Sequence, residues 1–216
     1  MLTVEDPWGP WGGHYNEPGS HALNTVRHKW KVTTVAVVES GPLRAKLTVK
    51  LHAEGGASEA ELTLSLEAGR RAVAVDARVF WCEENARLKL VFPVAAKRIE
   101  VEVPGAEAGT SVVRGEVGEG PGIGWVRALG GAKGFALGTD ALSDFDIHRG
   151  AVQATVVRSS RYTQSEQATA QPEARGPVID RGEYRFRFVI TDVPETIPAV
   201  TDELAYPPAV QMTWAR

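Results

Sequence analysis

The sequence has one cysteine, Cys82, in 216 residues. A lone cysteine excludes an intrachain disulfide and any cysteine-based zinc cluster. No apolar run approaches the length of a membrane span, and the N-terminus lacks the basic-then-apolar layout of a signal peptide. With Met1 as the true start, the cytoplasm is the expected location. An excess of positive charge is missing too: 24 Lys and Arg against 27 Asp and Glu leave a net charge of −3. Phosphate-backbone binding needs a basic patch, so nucleic acid is not an expected partner. A clean 3.6-residue apolar period is absent from every window of about twelve residues or more. The nearest approach, residues 131–141, is interrupted by internal glycines, which disfavour a helix.

What is present points to strands. Hydrophobic residues make up 43% and charged residues 24%, a soluble globular composition with enough chain for one sizeable core. The 22 glycines and 13 prolines are well spread, so turns recur every few residues. Leu62, Leu64 and Leu66 alternate with Thr63 and Ser65. Tyr184, Phe186, Phe188 and Ile190 alternate with Arg185, Arg187 and Val189. Period-2 alternation predicts strands with one face in a core and one in water. Similar strands are predicted at 30–38, 43–52, 73–80, 87–92, 99–103, 111–117, 123–129, 134–138 and 152–158. The expected fold is all-β, a single domain over residues 1–216 with antiparallel sheets stacked face to face.

Two segments differ. Asp6 to Gly19 gathers Trp8, Trp11 and Tyr15 among glycines and prolines. These aromatics suit either a sugar-stacking surface or a loop pinned on a sheet, and tryptophan usually packs. Residues 164–178 are polar and read as a mobile surface loop.

Candidate chemistry is sparse. His14, His21 and His28 recur every seven residues, but Pro18 and Gly19 forbid the continuous helix that would align them as metal ligands. Glu83 and Glu84 are adjacent, so a regular strand points them to opposite faces and they cannot flank one glycosidic bond. Asp144 and Asp146 share a face at i, i+2 if they lie in a strand, although a solvated loop is the expected setting. The glycines 118, 120, 122 and 124 read as a hairpin loop, because no helix with Lys-Ser or Lys-Thr follows. Ser159 and Ser160 lack a nucleophile-elbow motif. Arg158 and Arg161 flank them at the end of a strand, where a guanidinium can donate to a sugar hydroxyl or a carboxylate. Cys82 reads as a buried, inert thiol. The residues assemble no complete active site. Their reading ends at an all-β sandwich with a surface suited to carbohydrate.

Several stretches, in order, resemble a known family. They are Glu39-Ser-Gly-Pro-Leu-Arg44, Asp76-Ala-Arg-Val-Phe-Trp81-Cys-Glu83, Leu88-Lys-Leu-Val-Phe92-Pro93, Gly134-Phe-Ala-Leu-Gly-Thr-Asp140, Phe145-Asp-Ile-His-Arg-Gly150 and Ala154-Thr-Val-Val-Arg158-Ser159. Their order and spacing resemble the C-terminal region of glycoside hydrolase family 38, the α-mannosidases, over residues 6 to 192. The spacing Trp-x-Glu-x4-Leu-Lys-x2-Phe-Pro is the most specific element. Asp6-Pro-Trp8 to Trp11 is similar to the entry of that region.

The resemblance implies a large β-sandwich of the galactose mutarotase-like supersandwich type. It implies a catalytic α/β domain as partner, outside this chain, carrying the nucleophile and the zinc. No catalytic residue, metal ligand or cofactor is therefore assigned here. The implied role is to pack on that domain and help wall the cleft where α-mannosides are hydrolysed, without turnover by this chain alone. Arg158 matches best a family arginine that approaches the cleft, and Arg161 comes second. Ser160-Arg161-Tyr162-Thr163-Gln164 stands where many members carry a proline- and aspartate-containing stretch. Trp81, Glu83, Lys89 and Pro93 match the motif and read as structural. The substrate-contacting set is thus Arg158, Arg161, Trp8, Trp11 and Tyr15. Two alternatives stay open. One is a free-standing carbohydrate-binding module. The other is a mutarotase-like sugar-processing enzyme, which needs His52 or His148 to meet a carboxylate.

Overall fold

Alternation along the chain becomes two stacked sheets. The computed structural model describes residues 1–6, 25–141, 143–160 and 177–206, Ser143 by its backbone alone. In chain order the strands are β1 (Leu2–Glu5), β2 (Val26–Ser40), β3 (Arg44–Ala53), β4 (Glu59–Glu67), β5 (Ala72–Trp81), β6 (Ala86–Phe92) and β7 (Arg98–Val103). There follow β8 (Ala106–Ser111), β9 (Val117–Gly122), β10 (Trp125–Leu129), β11 (Phe135–Thr139), β12 (Ser143–His148), β13 (Ala151–Ser159) and β14 (Gly182–Thr191). A helix, α1 (Ile197–Ala205), closes the described chain. All strand pairs are antiparallel, in the order β8-β7-β10-β11-β14-β5-β4-β3-β2-β1-β6-β13-β12-β9. β2 joins the two sheets: Val26 to Lys29 pair with β1, and Trp30 to Ser40 pair with β3.

The core lies between the sheets. On β5, Val75, Ala77, Val79 and Trp81 are buried, while Asp76, Arg78 and Phe80 point outward and are exposed. Phe186 and Phe188 of β14 sit opposite Ala77 and Val75 and fill the same layer. Leu88 and Leu90 of β6 and Phe145 and Ile147 of β12 close it from the other sheet.

The predicted strands from 30–38 to 99–103, and those at 123–129, 134–138, 152–158 and 184–190, each fall on an observed strand. Three expectations are corrected. The strand expected at 111–117 is instead a turn, closed by a Val113–Glu116 bridge between β8 and β9. The glycine-rich stretch 118–122, read as a loop, is strand β9, held by pairing to β12. Residues 144 and 146, expected in a solvated loop, lie in β12 between β9 and β13. The helix α1 has no counterpart in the predicted strands. Pro198 in its first turn suits a helix start, and Ile197 packs with Trp125, Ala136 and Val189 on the outer face of the sheet. Gly138 permits that approach, since a Cβ there would stand 2.1 Å from Thr201 Oγ1.

One region of the inner face is uncovered. The core-facing column of β5 is buried, with Val75 at 2% exposure. The same layer runs through Leu64 and Leu66 of β4 and Leu47 of β3 to Val32, Val35 and Val37 of β2. Exposure rises to 47% at Leu66 and 68% at Val37.

Candidate functional site

The described polar chemistry concentrates on the face of β6 turned away from the apolar core. Ala86, Leu88 and Leu90 enter the core, so Arg87 and Lys89 point the other way. Both are nevertheless buried, Lys89 completely. Pairing places Lys89 opposite Thr155 of β13, and Thr155 opposite Asp144 of β12. Asp146 follows two residues along, and Glu119 comes from β9. Asp6, at the end of β1, is completely buried beside them.

These charges neutralise one another by direct contact. Arg87 donates through Nε to Asp6 Oδ2 at 2.9 Å and through Nη1 to Glu119 Oε2 at 2.6 Å. Lys89 Nζ donates to Asp146 Oδ1 at 3.1 Å and stands 3.5 Å from Glu119 Oε2. The Thr155 hydroxyl donates to Glu119 Oε1 at 2.6 Å. Arg158 donates to Asp6 through Nε and again through Nη2 at 3.4 Å. Three cations therefore meet Asp6, Glu119 and Asp146, a balance that burial of charge requires, and Asp144 stands near them as a fourth carboxylate.

Burial and neighbours pull the carboxylates apart. Burial works to raise Glu119, but Arg87, Lys89 and the Thr155 hydroxyl outweigh it and hold the group below the usual carboxylate range. Burial raises Asp146, with Lys89 only partly opposing it. Asp144 is raised first by burial and then by Glu119, against the pull of Arg87 and Arg158.

A group raised in the folded state costs stability above its folded pKa and recovers it as pH falls. Asp144→Asn is therefore expected to be more stable than the parent at pH 7. That advantage should shrink towards nothing as pH drops through the carboxylate range. Thermal melts of both proteins from pH 7 to pH 4 check this. A constant difference would show that Asp144 carries no burial cost.

Asp144, Thr155 and Arg158 also line a cavity of 330 Å³, with Pro121, Gly122, Ile123, Val156 and Val157 as its apolar walls. Arg158 keeps 28% of its side chain exposed while the buried Asp6 orients it. A cation, a carboxylate and a hydroxyl against an apolar wall suit a polyhydroxylated ligand. Among the described lining residues Asp144 is the single carboxylate, so they do not assemble the acid and nucleophile pair of a glycosidase.

The other candidates resolve as follows. Trp8, Trp11, Tyr15, Arg161, His14 and His21 lie outside the described residues, as does most of the 164–178 loop. His28 Nδ1 contacts the Glu54 carbonyl at 2.9 Å, and its Nε2 lies 3.5 Å from Glu83 Oε2. Glu83 also accepts from Ser58 Oγ at 2.9 Å and from the Ala57 amide at 3.3 Å. Ser159 accepts the Trp81 indole N–H at 2.9 Å and donates to the Glu83 carbonyl at 2.6 Å. Trp81, Glu83 and Ser159 thus form a structural lock rather than a reacting set. Glu84 lies on Arg181 at 2.8 Å, away from Glu83's partners. Cys82 is partly exposed rather than buried. His148 lies 3.0 Å from Glu116 at the end of β12, and His52 stands on β3 of the other sheet. Among the described residues no group of three or more His, Cys, Asp or Glu is placed to hold a metal ion. No described helix is long and apolar enough to cross a membrane.

The sequence reading missed Asp6, Arg87 and Glu119 as a network and took Lys89 only as structural. A signal was available: Arg87 and Lys89 are two cations at i, i+2, and Asp144 and Asp146 two carboxylates at i, i+2. The two strands lie one apart, with Thr155 of β13 between them, and long side chains on one face reach that far.

Comparison with known proteins gives the family and the fold. The family model described as "Glycosyl hydrolases family 38 C-terminal domain" matches residues 4–166. Among solved structures, a protein in the glycosyl hydrolase family 38 from Enterococcus faecalis superposes with a TM-score of 0.63 at 11% identity, covering 95% of this chain and 28% of that one. An alpha-mannosidase from Enterococcus faecalis V583 gives 0.64 at 11% identity, over 94% of this chain and 27% of that one. These likenesses show a shared fold, and the chain spans little more than a quarter of either protein. No curated protein matches the sequence. Since the family model covers most of the chain, including the network strands β6, β9, β12 and β13, the chain belongs to the glycosyl hydrolase family 38 C-terminal domains.

Proposed function

We propose that this domain serves an α-mannosidase-like glycoside hydrolase as an accessory sandwich. It packs on the catalytic domain and presents the Arg158 cavity to the sugar cleft. The observation that carries the reading is Arg158 itself. Its guanidinium is held by a fully buried carboxylate, yet over a quarter of the side chain is exposed, and it lines a cavity with Asp144 and Thr155. A cation fixed in this way is pre-organised to meet sugar hydroxyls, because its orientation is set before ligand arrives. Arg161, Trp8, Trp11 and Tyr15 are proposed to extend the same sugar-facing surface. The reacting acid, the nucleophile and the zinc belong to the catalytic domain on this reading. This chain positions and encloses.

Two measurements test it. The isolated chain is expected to leave an aryl α-mannoside intact, with zinc added and again after chelation. Zinc-dependent turnover would overturn the accessory reading. Titration with methyl α-mannoside, followed by NMR, is expected to move the Arg158 and Thr155 signals, and Arg158→Gln should abolish the shifts. Shifts that survive Arg158→Gln unchanged would remove that arginine from the sugar surface.

A further inference from the structure

Charges around the Arg158 cavity do not pair off completely. Arg87, Lys89 and Arg158 meet Asp6, Glu119 and Asp146, and Asp144 is the carboxylate left over. It is half-buried in the cavity wall, yet no described side chain donates a hydrogen bond to it and no described cation stands within ion-pair distance. Its neighbours explain why. On β13 it faces Thr155, whose hydroxyl is given to Glu119 at 2.6 Å. On β9 it faces Pro121, whose ring has no donor to offer. Arg87 divides between Asp6 and Glu119, and Lys89 between Asp146 and Glu119. Arg158 turns to Asp6. The three cations therefore attract Asp144 only at longer range, while Glu119 repels it. Carboxylates withdrawn from water are ordinarily met by donors, so one that lines a cavity without them is open to a ligand's.

We propose that Asp144 is the charge filter of this cavity: it accepts hydrogen bonds from the hydroxyls of a neutral sugar and keeps out ligands that carry a carboxylate or a phosphate. The choice of sugar as ligand rests on the proposed function, and the exclusion of anions rests on the charges alone. A guanidinium by itself matches carboxylate and phosphate and would make an anion site. Here its charge is already answered by Asp6, and Asp144 adds a further negative charge to the wall. An entering anion would meet a cation that already has a counter-ion. It would also set its own charge against Asp144 with no proton to offer, a mismatch that discriminates by repulsion. A sugar hydroxyl has that proton. One hydroxyl can donate to Asp144 while its neighbour on the ring accepts from Arg158. Pro121, Ile123 and Val157 supply the apolar wall for the C–H face of the ring.

NMR titrations of the 216-residue chain and of Asp144→Asn, read at the Arg158 side-chain N–H, test the filter. The variant should fold, since a gain in stability is expected for it at pH 7. Inorganic phosphate at pH 7 and constant ionic strength is the first probe. It is expected to bind Asp144→Asn at least about tenfold more tightly than the parent. Methyl α-mannoside is the second probe, and its affinity should fall about tenfold in the variant, the cost of losing a charged acceptor. Phosphate that binds both proteins equally, or is rejected by both, overturns the filter. A mannoside that binds both proteins alike overturns it as well. A mannoside that moves neither protein overturns the sugar-facing reading instead, and the phosphate pair still decides whether Asp144 excludes anions.

Discussion

Lys89→Ala is expected to lower the unfolding free energy by about 3–5 kcal/mol, the cost of removing one partner from a buried ion pair. The ammonium is fully buried and serves Asp146 at 3.1 Å and Glu119 at 3.5 Å. Alanine leaves Asp146 without its cation and Glu119 with Arg87 and the Thr155 hydroxyl. Asp146 stays buried with its charge uncompensated. Asp146 is already pushed upward by burial, so it will take up a proton more readily in the variant, and the loss should lessen as pH falls. Pairing Lys89→Met with Asp146→Leu removes both charges and should recover most of the stability. Urea denaturation of the parent, Lys89→Met, Asp146→Leu and the double variant closes the cycle, with Lys89→Ala measured beside them. A single-variant loss below about 1 kcal/mol would mean that water reaches the network, as it does at surface pairs.

Trp81→Ala should cost a similar amount, about 3–5 kcal/mol, through a different mechanism. The indole is completely buried between the sheets and donates to Ser159 Oγ, which passes the contact on to the Glu83 carbonyl. Truncation leaves a cavity that two stacked sheets cannot close. Trp81→Phe keeps most of the volume and removes the donor, so it should cost about 1–3 kcal/mol. Thermal or urea melts rank the two. Equal losses would assign the effect to the hydrogen bond rather than to packing.

Trp81 shows what the sequence made legible. Alternation over β14 marked Phe186 and Phe188 for the core, and the Trp-x-Glu spacing marked Trp81 as structural by resemblance. Strand β8 escaped because its residues, Ala106 to Ser111, are small or polar and all exposed, leaving no alternation to read. Strand β9 escaped because its glycines, which signal a turn, here allow close approach: a Cβ on Gly122 would stand 2.4 Å from the Phe145 ring. Asp144 and Asp146 looked like loop residues because charge usually means solvent. Their burial depends on Arg87, Lys89 and Arg158, cations more than fifty residues away or on a later strand, which local pattern cannot reveal. The Arg158 position was legible by resemblance, whereas its carboxylate partner Asp6 required the fold.

The strand order has a consequence for how the protein is made. β14, the last of the described strands, lies between β5 and β11 and joins them. Until it emerges from the ribosome, the larger sheet is two separate pieces, each with a raw edge. Its register sets Gly182 against Trp81, so about a hundred residues must wait for their closing partner. Such distant pairing favours slow folding and a long interval in which a nascent chain is open to chaperones, proteases or its neighbours on the same messenger.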